Sequence, residues 1–280
     1  MDSSTFELTA SSPSGDHPLK YLAFVPASAP LTPPLVLVHG NNRASARLFR
    51  AFLPLAAQYN IPLIAPRFSR NRFPSYQQLA GEAGPYAART ALDVALDDVQ
   101  TTLGINTELV DLMGFSGGAQ FAHRYAMVAS DRVVRVVAAS AGWYTFLDAE
   151  RPFPRGSAAL EPDPRHAVDA AAFLRIPILV LVGERDTLVD ESLRSSAWLV
   201  RQQGANRVER AGRWVQHLQE TAALADVAPR AKLDTMVGVG HSLAEAIGEG
   251  NLVGRTIEFL HPLAISAAAR PSSDPDEVRA

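Results

Sequence analysis

The chain contains no cysteine in its 280 residues. Disulfides, thiolate metal sites and a cysteine nucleophile are therefore excluded, and stability has to come from a packed core. Nor is there an uncharged apolar run long enough to span a bilayer, and residues 1–7 carry neither a basic n-region nor an apolar h-region. A cytoplasmic protein with no membrane insertion is the expectation. Charge of one sign is equally scarce: 26 Lys and Arg against 29 Asp and Glu leave a formal net charge of −3, which argues against a nucleic-acid partner. The one short basic run, Ser69-Arg70-Asn71-Arg72, reads as a solvated loop.

What the chain does have is 47% hydrophobic residues, enough for one large α/β domain. Leu35-Val36-Leu37-Val38 is a continuous apolar run of the kind found in a parallel sheet buried on both faces. Similar strand patterns occur at residues 21–25, 62–65, 109–115, 133–139, 176–182 and 233–237, with an edge strand at 6–9. Helical spacing alternates with them at 45–59, 89–103, 119–129, 190–203, 207–224 and 243–260, the last broken by Gly248 and Gly250. Asp93, Asp97 and Asp98 are expected on a solvated helix face. Alternation of this kind predicts a mostly parallel, doubly wound sheet with helices on both faces. Residues 1–18 read as a flexible or edge-strand start, 19–266 as a single domain, and 267–280 as a disordered tail. The proline-rich stretch 146–172 is a short cap-like insertion, too short for a large helical lid. A loop at 67–75 is long enough to edge a site.

The chemistry is concentrated in Gly114-Phe115-Ser116-Gly117-Gly118. A strand that turns sharply into a helix forces its apex residue into strained backbone angles, and side chains on the flanks would collide with strand and helix. Ser116 at the apex is the candidate nucleophile. A serine hydroxyl needs a base within hydrogen-bond reach, and the base needs an orienting partner. His241 and Asp186 each follow the end of an expected strand, where open α/β sheets place their sites. Competing histidines are His39, His123, His166 and His217. For the acid, Glu184, Asp190, Asp234 and Asp148 compete with Asp186.

His39-Gly40-Asn41-Asn42-Arg43, the segment from Gly114 to Arg124 and Gly142-Trp143-Tyr144-Thr145-Phe146 together resemble an α/β-hydrolase, and more narrowly bacterial serine esterases related to polyhydroxybutyrate depolymerases. The order Ser116, Asp186, His241 is that superfamily's order of nucleophile, acid and base. The resemblance implies that Ser116 attacks an acyl carbon, His241 shuttles the proton, and Asp186 orients His241. It implies an oxyanion hole from the backbone N–H groups of Gly117 and Asn41, with His39 in a packing role. Asn42, Trp143 and Tyr144 are candidate pocket residues. No cofactor and no metal are called for, and the expected partner is a small-molecule or polymer ester. Amide, thioester or carbon–carbon cleavage uses the same triad, and a non-catalytic binding protein on this fold is the reading from a different class. The Ala- and Arg-rich composition hints at a bacterial source.

Overall fold

The computed structural model describes residues 3–11, 18–30, 32–159, 166–189 and 193–262. Eight strands form one sheet: β1 (Ser4–Ala10), β2 (Leu19–Val25), β3 (Leu35–Val38), β4 (Leu63–Arg67), β5 (Val110–Phe115), β6 (Val133–Ala139), β7 (Ile178–Gly183) and β8 (Ala231–Met236). Their spatial order is β1-β2-β4-β3-β5-β6-β7-β8. β1 and β2 pair antiparallel at one edge, β2 runs antiparallel to β4, and every pairing from β4 to β8 is parallel.

Parallel strands need crossover connections, supplied by α1 (Ser45–Gln58), α2 (Ala87–Leu103), α3 (Gly117–Val128), α4 (Ala170–Leu174), α5 (Ala197–Gln203) and α6 (Arg207–Leu224), while α7 (Leu243–Gly248) and α8 (Leu252–Leu260) follow β8. The side-chain period of two then divides each central strand between two cores. Val36 and Val38 of β3 join Leu92 of α2, Phe121 of α3 and Trp214 of α6 on one face. Leu35 and Leu37 join Phe52 of α1 and Ile257 of α8 on the other. Burial on both faces is why these strands are apolar throughout.

Several expectations need correction. Asp93 and Asp98 do not simply face water. Tyr125 donates to Asp93 and Tyr21 to Asp98, each at 2.5 Å, so two tyrosines buried under α2 satisfy their hydroxyls on its acidic side. The helix expected over 190–203 begins only at Ala197, because Leu193 is pulled into the interior and Ser196 is extended. Helix α3 starts at Gly117, directly after the apex serine. Residues 267–280 lie outside the described residues, as does Asp190.

Candidate active site

The carboxyl ends of β3, β5, β7 and β8 converge on one rim of the sheet. At the end of β5, Ser116 has φ 54° and ψ −111°, a conformation unusual for a side-chain-bearing residue. The surroundings impose it. A Cβ on Gly114 would strike the Gly118 carbonyl, and one on Gly118 would strike the Val38 carbonyl, so the turn is packed to backbone contact on both sides. The Ser116 N–H is tied to the Ala139 carbonyl at 2.8 Å, which anchors the strained residue to β6.

Ser116 Oγ lies 3.0 Å from His241 Nε2, and His241 Nδ1 lies 2.8 Å from Asp186 Oδ2. The loop after β8 presents His241 with its ring stacked on Phe115, centroids 5.7 Å apart, and its side chain 22% exposed. Asp186 is closed off at 1% exposure, and its other oxygen accepts from Arg207 Nη1 at 3.3 Å. The turn after β7 is braced by Asp186 N–H on the Gly183 carbonyl and by Glu184, which accepts from Gly238 N–H at 2.9 Å. On the far side of His241, Ser242 caps α7 by accepting from Glu245 N–H, and Glu245 accepts from Gly240 N–H at 2.8 Å. His241 therefore follows directly on two glycines pinned through their N–H groups, Gly238 and Gly240.

Beside the serine, a point one Cβ bond from Gly40 is 3.6 Å from Ser116 Cβ, so the segment after β3 lies against Ser116. A Cβ on Gly117 would meet the Asn41 side chain and come within 2.6 Å of the Tyr76 hydroxyl. Among the described residues, the backbone N–H groups of Asn41 and Gly117 have no acceptor. His39 holds the segment in place. Its Nε2 accepts from Phe68 N–H at 3.0 Å, so the ring's proton is on Nδ1, which donates to the Gly40 carbonyl at 2.8 Å. Burial lowers its pKa to about 4 and keeps it neutral. Tyr76 donates to the His39 carbonyl at 2.7 Å.

The other candidates are placed elsewhere. His123, driven well below its usual pKa by burial, bridges the Ala119 carbonyl and Thr145 N–H. His217 accepts from Leu147 N–H, and His166 stacks on Tyr86. Asp148 pairs with Arg151 at 3.0 Å, and Asp234 with Arg255. Trp143 and Tyr144 are corrections. Tyr144 is fully buried, stacked on Trp214 with centroids 4.5 Å apart and pinned to Gln203 through both backbone groups. Trp143, only 4% exposed, is covered by Arg124 at 4.0 Å. Both are core side chains. Asn42 is exposed, its Oδ1 accepting from Ala44 N–H at 3.2 Å.

Arg207, Tyr76 and Glu245 were not found from sequence. Glu245 had a signal, since Ser242-x-x-Glu245 is a capping-box spacing. Arg207 and Tyr76 had none: each is a long way along the chain from its partner. Among the described residues, no group of acidic or histidine side chains is arranged to hold a metal ion, and no helix is long and apolar enough to cross a membrane.

No protein-family model matches the chain, and no curated relative matches it. Solved structures do. Poly(aspartic acid) hydrolase-1 from Sphingomonas sp. KT-1 superposes with a TM-score of 0.74 at 25% identity, covering 92% of this chain and 98% of that one. LpqC, the poly(3-hydroxybutyrate) depolymerase from Bordetella parapertussis, gives 0.70 at 25% identity over 90% and 93%. The chain is a serine hydrolase with the α/β-hydrolase fold. An S-formylglutathione hydrolase from Agrobacterium tumefaciens, at 0.55 and 14% identity over 92% and 95%, shares this hydrolase's fold.

Proposed function

We propose that this hydrolase cleaves a carboxylic ester through an acyl-enzyme, with Ser116 as nucleophile, His241 as base and Asp186 as the orienting acid. The observation that supports it most directly is the continuous hydrogen-bonded path from Ser116 Oγ through His241 to Asp186. Ser116 Oγ attacks the acyl carbon while His241 Nε2 takes its proton. The resulting oxyanion accepts from the N–H groups of Gly117 and Asn41, each such donor stabilising the transition state by about 3 kcal/mol. Collapse expels the alcohol, which takes the proton from His241. Water then gives a proton to His241 and attacks the acyl carbon, and Ser116 leaves with that proton restored. Asp186, held by Arg207 and shielded from water, keeps His241 in the tautomer that presents a lone pair to Ser116.

Two of the similar structures are named for polymers, poly(aspartic acid) and poly(3-hydroxybutyrate), and a polymeric ester is a substrate within this reading. The test combines 4-nitrophenyl esters of several chain lengths with a fluorophosphonate probe. Turnover and labelling of Ser116 are expected. Absence of both would replace the enzyme reading with a binding protein on the same fold, while labelling without ester turnover would move the substrate to an amide or thioester.

A further inference from the structure

The rim that carries Ser116 has a second feature that bond cleavage does not use. Next to the segment after β3 is a cleft of about 690 Å³ lined by Asn42 and by five cations, Lys20, Arg43, Arg67, Arg70 and Arg72. No carboxylate of the described residues lines it, and none of the five forms an ion pair with a described residue. Among the described residues, Glu7 lines a smaller neighbouring cavity that shares Lys20, Arg43 and Arg67, without pairing to any of them.

Two details show that these charges stay uncompensated among the described residues. Lys20 of β2 and Arg67 of β4 are register partners across an antiparallel pair, so like charges stand directly opposite on one face. Thr9 of β1 continues that row as the partner of Lys20 and also lines the cleft. Arg43 is the second detail. Its guanidinium rests 4.1 Å over the Tyr76 ring and donates to the Phe73 carbonyl at 3.1 Å, yet its Nε and Nη1 are buried without an acceptor. Buried orphan donors in a native protein call for an explanation.

The cleft also approaches the reacting centre through Asn42. The same point beside Gly40 that is 3.6 Å from Ser116 Cβ is 3.7 Å from Asn42 Oδ1, so the cleft's inner wall is one side chain away from the nucleophile. We propose that this cleft is the subsite for a substrate whose acyl chain bears carboxylates, with Arg43 nearest the scissile bond and Arg67, Lys20, Arg70 and Arg72 further along. This rests on Ser116 being the nucleophile. Carboxylates are the anions that an acyl chain brings with it, and the planar guanidinium fork matches them bidentately. A long nucleic acid is disfavoured by a chain of net charge −3 whose unpaired cations sit in one pocket beside the serine.

The experiment compares the mono-4-nitrophenyl ester of suberic acid with 4-nitrophenyl octanoate, two substrates of one length that differ by a terminal carboxylate. In the parent enzyme the ratio of kcat/KM, acidic over neutral, is expected to exceed one and to fall as salt is raised to about 0.5 M. In the double variant Arg67→Gln/Arg70→Gln the ratio is expected to drop about fivefold, the loss of two exposed ion pairs. Taking a ratio removes any general loss of activity in the variant. An unchanged ratio overturns the proposal. A second measurement does not depend on turnover: anisotropy of a fluorescein-labelled oligoglutamate added to the Ser116→Ala protein, with and without the double substitution. Weaker binding in the substituted protein supports the cleft, and equal binding overturns it. Tighter binding of a labelled oligonucleotide of the same charge overturns the carboxylate assignment. If the parent hydrolyses neither ester, the Ser116 reading fails and the anisotropy result decides the cleft alone.

Discussion

The two flanks of Ser116 handle positive charge in opposite ways. On the side of β6 and α6 the arginines are buried and committed. Arg207 holds Asp186, Arg210 donates to the carbonyls of Gly204, Gly142 and Arg194, and Arg124 donates to Thr145 while covering Trp143. On the side of β2 and β4 the cations stand around an open cleft with no counter-ion among the described residues. A buried guanidinium locks the group it touches, because its removal strands a polar partner away from water. An exposed one contributes little to the fold and is left available to solutes. One flank thus sets the geometry of the acid and base, and the other selects what approaches the serine.

That contrast can be broken at several points. The largest effect belongs to the centre: Ser116→Ala is expected to lower kcat/KM for a 4-nitrophenyl ester by roughly 10⁶-fold with folding intact by circular dichroism. Residual activity of more than a few per cent would show another nucleophile. Asp186→Asn is next, with a loss of roughly 10⁴-fold through the wrong histidine tautomer, whereas Asp148→Asn stays close to the parent. A larger loss in the second variant would move the acid across the site. On the committed flank, Arg207→Leu leaves the Asp186 carboxylate buried without its cation, and urea melts should show destabilisation of about 3–5 kcal/mol.

Between the flanks, acid is expected to loosen the oxyanion segment. His39 titrates near 4 in the folded protein, below its value of 6.5 in an unfolded chain, because burial penalises the imidazolium. Its contribution is therefore complete above pH 6.5 and is lost as pH falls towards 4, roughly 3 kcal/mol over that window. Asp111, raised by burial to about 7, has the opposite sign: its contribution is complete at low pH and is lost as pH rises through 7. Chemical denaturation at pH 6.5 and 4.5 should show a steeper acid loss in the parent than in His39→Gln. The smallest effect belongs to the open flank, where Arg70→Gln or Arg72→Gln should change stability by no more than about 0.5 kcal/mol. A drop of several kcal/mol there would mean that these arginines, like Arg207, are structural.

Much of the frame was legible because its signals are local. β3 and β6 coincide with apolar runs that a sheet covered on both sides requires, and α6 coincides with its stripe from Val208 to Ala222. The start of α5 is not legible in the sequence, because helical spacing continues into residues that the tertiary structure draws out extended. Asp93 and Asp98 read as solvated in the sequence because their tyrosine partners come from β2 and α3, far along the chain. Trp143 and Tyr144 looked like pocket residues from their place after β6. Only the packing of α6 on Tyr144, and of Arg124 and Trp198 on Trp143, buries them.

Local chemistry, then, is what the sequence determined by itself: a serine at a glycine-flanked turn, and an aspartate and a histidine each placed after a strand. Glycine is required where a Cβ would meet backbone, and that constraint acts over five residues. The tertiary structure decided everything that depends on which strands become neighbours. Strand order placed β2 beside β4, and so set Lys20 against Arg67. The long connection through α5 and α6 returned Arg207 to Asp186. Residues 116, 186 and 241 come within hydrogen-bond reach only because parallel pairing aligns the carboxyl ends of their strands, and no local propensity encodes a register between segments so far apart.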